Sequence, residues 1–165
     1  MRRFGGLIGS AAVLLLTGCF YHFAGGGLPP HIHTMAIGAF DNQTASPEIP
    51  KELYDHMHRE LQRRLGVRDA PTDRADAVVR GVIQSYDADV PVGFSSSTAQ
   101  ATTARRHLQI TIEIEIVDQS NGHVLYSSKS LRQEADYDER SEANGREQAI
   151  TKMVQQIVEG VQSNW

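Results

Sequence analysis

The residue types with the most chemistry in this chain are one cysteine, seven histidines and one basic cluster. Cys19 is the only thiol, so it has no intrachain disulfide partner. As a thiolate it could serve as a nucleophile or acceptor of a transferred group. Arg105-Arg106-His107 is a run of cationic side chains on an acidic protein. Arginine matches phosphate and carboxylate through a bidentate fork, so Arg105 and Arg106 are candidate contacts to an anionic ligand.

The histidines do not assemble into a metal motif. His31 and His33 stand two apart near a strand start, and His56 and His58 two apart on a helix, where that spacing does not share a face. No cysteine is near enough to complete a zinc set. "GFSSS" lacks the second glycine of a nucleophile elbow. "FAGGGLPP" has no following Lys-Ser/Thr and is not a phosphate loop. The carboxylates read as solvated faces. The chain therefore reads as a non-enzyme with no metal and no cofactor.

What surrounds Cys19 decides its chemistry. Arg2 and Arg3 precede a short apolar run, Leu7 to Leu16, interrupted only by Gly9 and Ser10. That run is about half of the roughly 20 residues a membrane-spanning helix requires. A basic start, a short apolar segment and small residues after it form a secretory signal pattern. Leu16-Thr17-Gly18-Cys19 resembles the bacterial lipobox. The resemblance implies cleavage before Cys19 and lipidation of its thiol and new amino group. Several acyl chains hold a protein on its leaflet where one does so only marginally. Phe20 stands where an aspartate would resemble an inner-membrane retention signal, so the expected address is the periplasmic side of the outer membrane.

Cleavage after residue 18 leaves 147 residues, with 14 Lys and Arg against 20 Asp and Glu. That is one domain able to bury a core without disulfides. Its acidic balance argues against nucleic acid as a partner. The expected organisation is a signal peptide over 1–18, a lipidated tether over 19–33 and a single domain over 34–165.

The elements that must position the arginines follow from periodicity. "TMAIGAFDN" reads as a short, mostly buried strand ending at Asp41-Asn42. Ser46-Pro47-Glu48 opens a helix in which Leu53, Met57, Leu61 and Leu65 recur, and Gly66 closes it. Asp76 to Val90 is a strand stopped by Pro91. "VGFSSSTAQATTARR" is a long hairpin connection. Leu108, Ile110, Ile112, Ile114 and Ile116 then alternate with Gln109, Thr111, Glu113 and Glu115, which predicts one buried and one wet face. Asp118 to Gly122 supplies a turn, and His123 to Ala135 returns. Ser141 starts a last helix with an apolar stripe of Ala143, Ile150, Met153, Val154, Ile157, Val158 and Val161. The predicted fold class is α+β: a two-layer sandwich, with an about four-stranded mixed or antiparallel sheet and two helices on one face, in the order β-α-β-β-β-α.

"GCFYHFAGGGLPPHIHTMAIGAFDNQT" followed by "ELYDHMHRELQRRLGV" resembles the LptE family of lipopolysaccharide-assembly lipoproteins. The features that carry it are Cys19, the patch Phe20-Tyr21-His22-Phe23, Phe40-Asp41-Asn42 and the first helix, followed by the order of three strands and a helix. Phe20 replaces a commoner glycine. The resemblance implies a lipid-anchored plug and assembly aid inside the LptD β-barrel, helping to place lipopolysaccharide in the outer leaflet. The same strand–helix opening also resembles periplasmic lipoproteins that regulate cell-wall synthases or form secretion pores.

Overall fold

The computed structural model describes residues 27–89, 105–138 and 140–163. The signal segment, Cys19, Phe20-Tyr21-His22-Phe23, most of the long connection and Trp165 lie outside the described residues.

The described elements are β1 (Thr34–Ile37), β2 (Asp41–Asn42), α1 (Ile49–Leu65), β3 (Arg68–Asp69), β4 (Ala77–Asp87), β5 (Arg105–Asp118), β6 (Val124–Asp138) and α2 (Glu142–Ser163). They form one sheet in the order β3-β1-β4-β5-β6, with β2 also paired to β4. β1 and β2 run parallel to β4, and β4, β5 and β6 are antiparallel neighbours. The class is the expected α+β, but the described sheet has six strands rather than about four. The additions are the two-residue β3 and a break of the first strand into β1 and β2. Two-residue strands are too short for a period to show.

The break has a packing cause. At the interruption Gly38 donates its N–H to Val79 O at 2.9 Å, and Phe40 then turns into the core, 7 % exposed. Its ring lies over Gly81 of β4. A Cβ there would stand 2.4 Å from Phe40 Cε1 and 2.6 Å from Glu113 O. Gly81 is therefore the space that Phe40 fills.

Leu108, Ile110, Ile112, Ile114 and Ile116 are each at most 1 % exposed and join one core with Ile49, Leu53, Met57 and Leu61 of α1 and the inner stripe of α2. Burying each such side chain contributes about 1.5–3 kcal/mol, so this row sets the register of the central strand. α1 ends at Gly66, whose φ of 68° suits the left-handed cap and whose N–H donates to Gln62 O.

Two expectations are corrected. Thr111, assigned to the wet face, is buried at 6 % exposure. It faces away from the helices, but there the sheet covers itself. The β4–β5 register slips between Ile83 and Ser85 and the β5–β6 register slips between Ile112 and Ile114. Such bulges sharpen local twist, and Gln84 at the first slip donates across β5 to Lys129 O at the second, 3.1 Å. Ala143, assigned to the apolar stripe, is exposed; Gly145 and Arg146 take the inward positions of that turn. The hydroxyl of Ser141 donates to Asp138 O, while its carbonyl accepts the Gly145 N–H.

Candidate functional site

The basic cluster opens β5 where the long connection ends. Arg105 stands opposite Asp138 in register, Arg106 opposite Tyr137, and His107 opposite Asp136. Successive strand residues alternate faces, so Arg106 shares the helix-covered side with Leu108 and His107 takes the other. Arg106 Nη1 lies 3.0 Å from Asp89 Oδ2. His107 Nδ1 lies 2.7 Å from Asp136 and its Nε2 3.2 Å from Glu134. The Asp136 hydrogen bond, opposed by partial burial and helped by Glu134, raises the His107 pKa above its ordinary value. Tyr137 completes this end by donating its hydroxyl to Ala88 O.

In the sequence, Arg105-Arg106-His107 reads as a positive cluster at a strand start. The fold surrounds Arg106 and His107 with acids. Asp89 is 17 residues from Arg106, and Asp136 is 29 from His107. An anion reaching Arg106 would have to compete with Asp89 for the guanidinium.

The entry to the domain is a second polar site. Leu28 and Ile32, assigned to the tether, pack on the core. His31 Nε2 meets Asp118 Oδ2 at 2.7 Å. Asp118 is 1 % exposed and also accepts Ser120 N–H and Oγ at 2.8 and 2.6 Å. Burial alone would raise its pKa, but hydrogen bonds from Ser120 and His31 hold it down at about 2. Two residues further on, Asp76 Oδ2 accepts His33 N–H, then Thr34 N–H and Thr34 Oγ1, all within 2.9 Å. These bonds lower the Asp76 pKa. Two acids thus fix residues 31–34 to the starts and ends of the central strands.

Neither histidine pair builds a metal centre. His58 stacks on Tyr54, and His56 Nδ1 lies 3.5 Å from Thr151 Oγ1. No group of three metal-binding side chains occurs among the described residues.

Arg146 is the polar residue that sequence reasoning missed. It is 9 % exposed and sits between the helices. Its Nε and Nη2 reach Glu52 at 2.8 and 3.0 Å, and its Nη1 lies 3.2 Å from Glu48 and 3.5 Å from Glu142. The Glu52 bonds raise its pKa against burial. Tyr86 donates to Glu142 at 2.6 Å, and burial followed by that carboxylate pushes its pKa up to about 12. A signal was present: Arg146 lies three and four residues before Ala149 and Ile150, in line with the apolar stripe. A cation on a buried stripe requires acidic partners within reach.

The LptE family, described as lipopolysaccharide-assembly, matches residues 32–164. The chain belongs to the LptE family. Membership carries a role in lipopolysaccharide assembly.

The match begins at Ile32, among the residues pinned by Asp118 and Asp76, and covers both helices and all six strands of this LptE-family domain. No curated protein sequence matches the chain. Solved structures show the same fold at low identity. A PelC dodecamer from Paraburkholderia phytofirmans has a TM-score of 0.57 at 20 % identity, over 84 % of this chain and 93 % of that one. Protein XCC0632 from Xanthomonas campestris has a TM-score of 0.55 at 12 % identity, over 80 % and 87 % of the two chains. A lipoprotein from Caulobacter crescentus reaches 0.50 at 14 %, over 78 % and 88 %.

Proposed function

We propose that this LptE-family protein is an outer-membrane lipoprotein, anchored through lipidated Cys19 on the periplasmic side. It assembles with an LptD-like β-barrel, occupies its lumen and assists lipopolysaccharide insertion into the outer leaflet. The family match over residues 32–164 carries this reading. The sheet supports it physically. Its helix-covered face is apolar, while the opposite face presents Arg80, Glu115, Ser127 and Lys129, all exposed. The lumen of a membrane barrel is polar, so a hydrated sheet face enters it at little desolvation cost. In this reading the protein has no catalytic step and no cofactor. Its work is to brace a barrel and guide an anionic lipid, with Arg105 and Arg106 touching phosphate or other anionic groups of that lipid.

The test is purification of the native lipoprotein from solubilised envelopes, together with depletion in cells. The proposal expects the barrel to co-purify. Depletion should lower assembled barrel and surface lipopolysaccharide and admit large antibiotics. Intact lipopolysaccharide display with altered cell-wall crosslinking alone would replace it with a role in cell-wall synthesis. An intact display together with a lost secreted product would point to a secretion pore.

A further inference from the structure

The two edges of the sheet differ. One is made of the short β3 and β2 beside a four-residue β1. The other is β6, 15 residues long, with no second strand neighbour among the described residues. Native sheets blunt such edges with bulges and lysines, and both stand at the β6 edge, in particular places. Its register slips fall in the half before Leu131. From Leu131 to Asp138 it pairs with β5 without interruption. The lysine is Lys152 of α2, whose Nζ donates to Glu134 O at 3.3 Å.

That bond reports which way the backbone faces. Along an antiparallel ladder, residues of one parity direct their N–H and C=O to the same side. Glu134 O turns toward Lys152, so Arg132 and Asp136 also offer main-chain groups to the open side, and Asp138 its N–H, its carbonyl being held by Ser141. Beside them a groove of about 380 Å³ runs between the end of β6 and the first turns of α2, lined by Asp136, Tyr137, Asp138, Ser141, Asn144 and Gln148. The helix comes this near because Gly145 lacks a side chain: a Cβ would stand 2.7 Å from Tyr137 Cβ and 2.9 Å from Leu108 Cδ2.

We infer that the Leu131–Asp138 edge and this groove accept an extended, basic polypeptide segment of a second protein, added antiparallel or parallel as a further strand. The backbone edge supplies the ladder and the groove supplies the choice of side chains. Its lining holds two carboxylates and no lysine or arginine; Asp136 is shared with His107, but with Glu134 beside them the acids outnumber that one imidazole, which selects lysine or arginine at alternate positions. A second copy of this chain is a poor occupant. Pairing β6 with itself would set the carboxylates of Glu134, Asp136 and Asp138 against the same row, and like charges across strands repel.

The probe is a blocked peptide, Thr-Lys-Val-Lys-Val-Lys-Val-Thr, titrated into the full lipoprotein in detergent and followed by backbone amide exchange. Slowed exchange is expected at Arg132, Glu134, Asp136 and Asp138. The peptide with Glu in place of Lys should not bind. Glu134→Pro removes one open-side N–H and should abolish the protection. The pair Asp136→Asn and Asp138→Asn should weaken binding about threefold or more at low salt. Lys152→Ala uncovers the Glu134 carbonyl and should tighten binding, a gain that misfolding cannot mimic. No protection at millimolar peptide, protection confined to other strands, or equal binding of the Lys and Glu peptides would overturn the inference. So would protection of the same four amides by self-association without peptide, seen as concentration-dependent sedimentation.

Discussion

Arg146 of α2 grips Glu52 of α1 with two parallel bonds, Nε to Oε2 at 2.8 Å and Nη2 to Oε1 at 3.0 Å. Glu48 and Glu142 crowd the same guanidinium. Removing it would leave three carboxylates around a vacated position. We expect Arg146→Ala to cost about 2 kcal/mol, less than a fully buried pair because the glutamates are partly hydrated. Arg146→Lys keeps the charge without the two parallel bonds and should recover only part of the loss. Urea denaturation of both variants checks this; full recovery by lysine would mean that charge alone, not the fork, holds the helices.

Thr111 and Ile112 test the two faces of β5. Ile112→Asp puts a charge among fully buried side chains and should abolish cooperative folding. Thr111 is also buried, and its Oγ1 has no hydrogen-bond partner among the described residues. Thr111→Val keeps the shape and deletes the unsatisfied hydroxyl, so it should leave stability unchanged or add up to about 1 kcal/mol. Thr111→Asp should destabilise clearly. Melting temperatures of the three variants decide; a stable Thr111→Asp protein would restore the wet-face assignment.

Two groups give the stability profile opposite slopes. His107 has a raised pKa in the folded state. Its contribution is therefore full below the unfolded value of about 6.5 and lost as pH rises through the folded value. Asp118 is lowered from 3.8 to about 2. Its contribution is present above 3.8 and lost as pH falls through about 2. His107→Gln should flatten the profile above neutrality, and Asp118→Asn should flatten its acid limb while lowering stability at pH 7. Proton titration of His107 by NMR gives the direct check, and a folded value at or below the ordinary one would refute the first half.

The Arg106–Asp89 pair makes the lipid-contact proposal two-sided. Arg105→Ala with Arg106→Ala should weaken binding of lipopolysaccharide to purified domain, most visibly at low ionic strength. Asp89→Asn removes a carboxylate that competes for Arg106 and should strengthen binding. Unchanged affinity in both would assign the cluster to strand-end solubility alone.

Cys19→Ala should leave the precursor uncut or miscut and without lipid. Mass spectrometry of the mature amino terminus reads this directly; an unmodified Cys19 in the wild-type protein would remove the anchor from the proposal.

What was legible in the sequence was what repeats. The isoleucine row of β5, the four-residue spacing of apolar positions in α1 and the Asn121-Gly122 turn each signal themselves within a dozen residues. Gly122 indeed holds a positive φ of 72°. What stayed hidden depends on residues brought together by the sheet. Asp89 meets Arg106 and Asp136 meets His107 only once β4, β5 and β6 are in register. Thr111 alternates as a solvent-facing residue should; two bulges at its level bury it. Arg146 was readable in part, as a charge on an apolar stripe, but not its partners on α1.

The fastening of residues 31–34 has a mechanical consequence. Tension arriving along the chain from the side of residue 27 first meets His31, whose hydrogen bond passes it to Asp118 at the end of β5. It next meets the three bonds that Asp76 makes just before β4. Load therefore enters the long central strands β4 and β5 before it reaches the four-residue β1, whose ladder to β4 has only three partners. A tug that would peel so short a strand is instead shared as shear across the centre of the sheet.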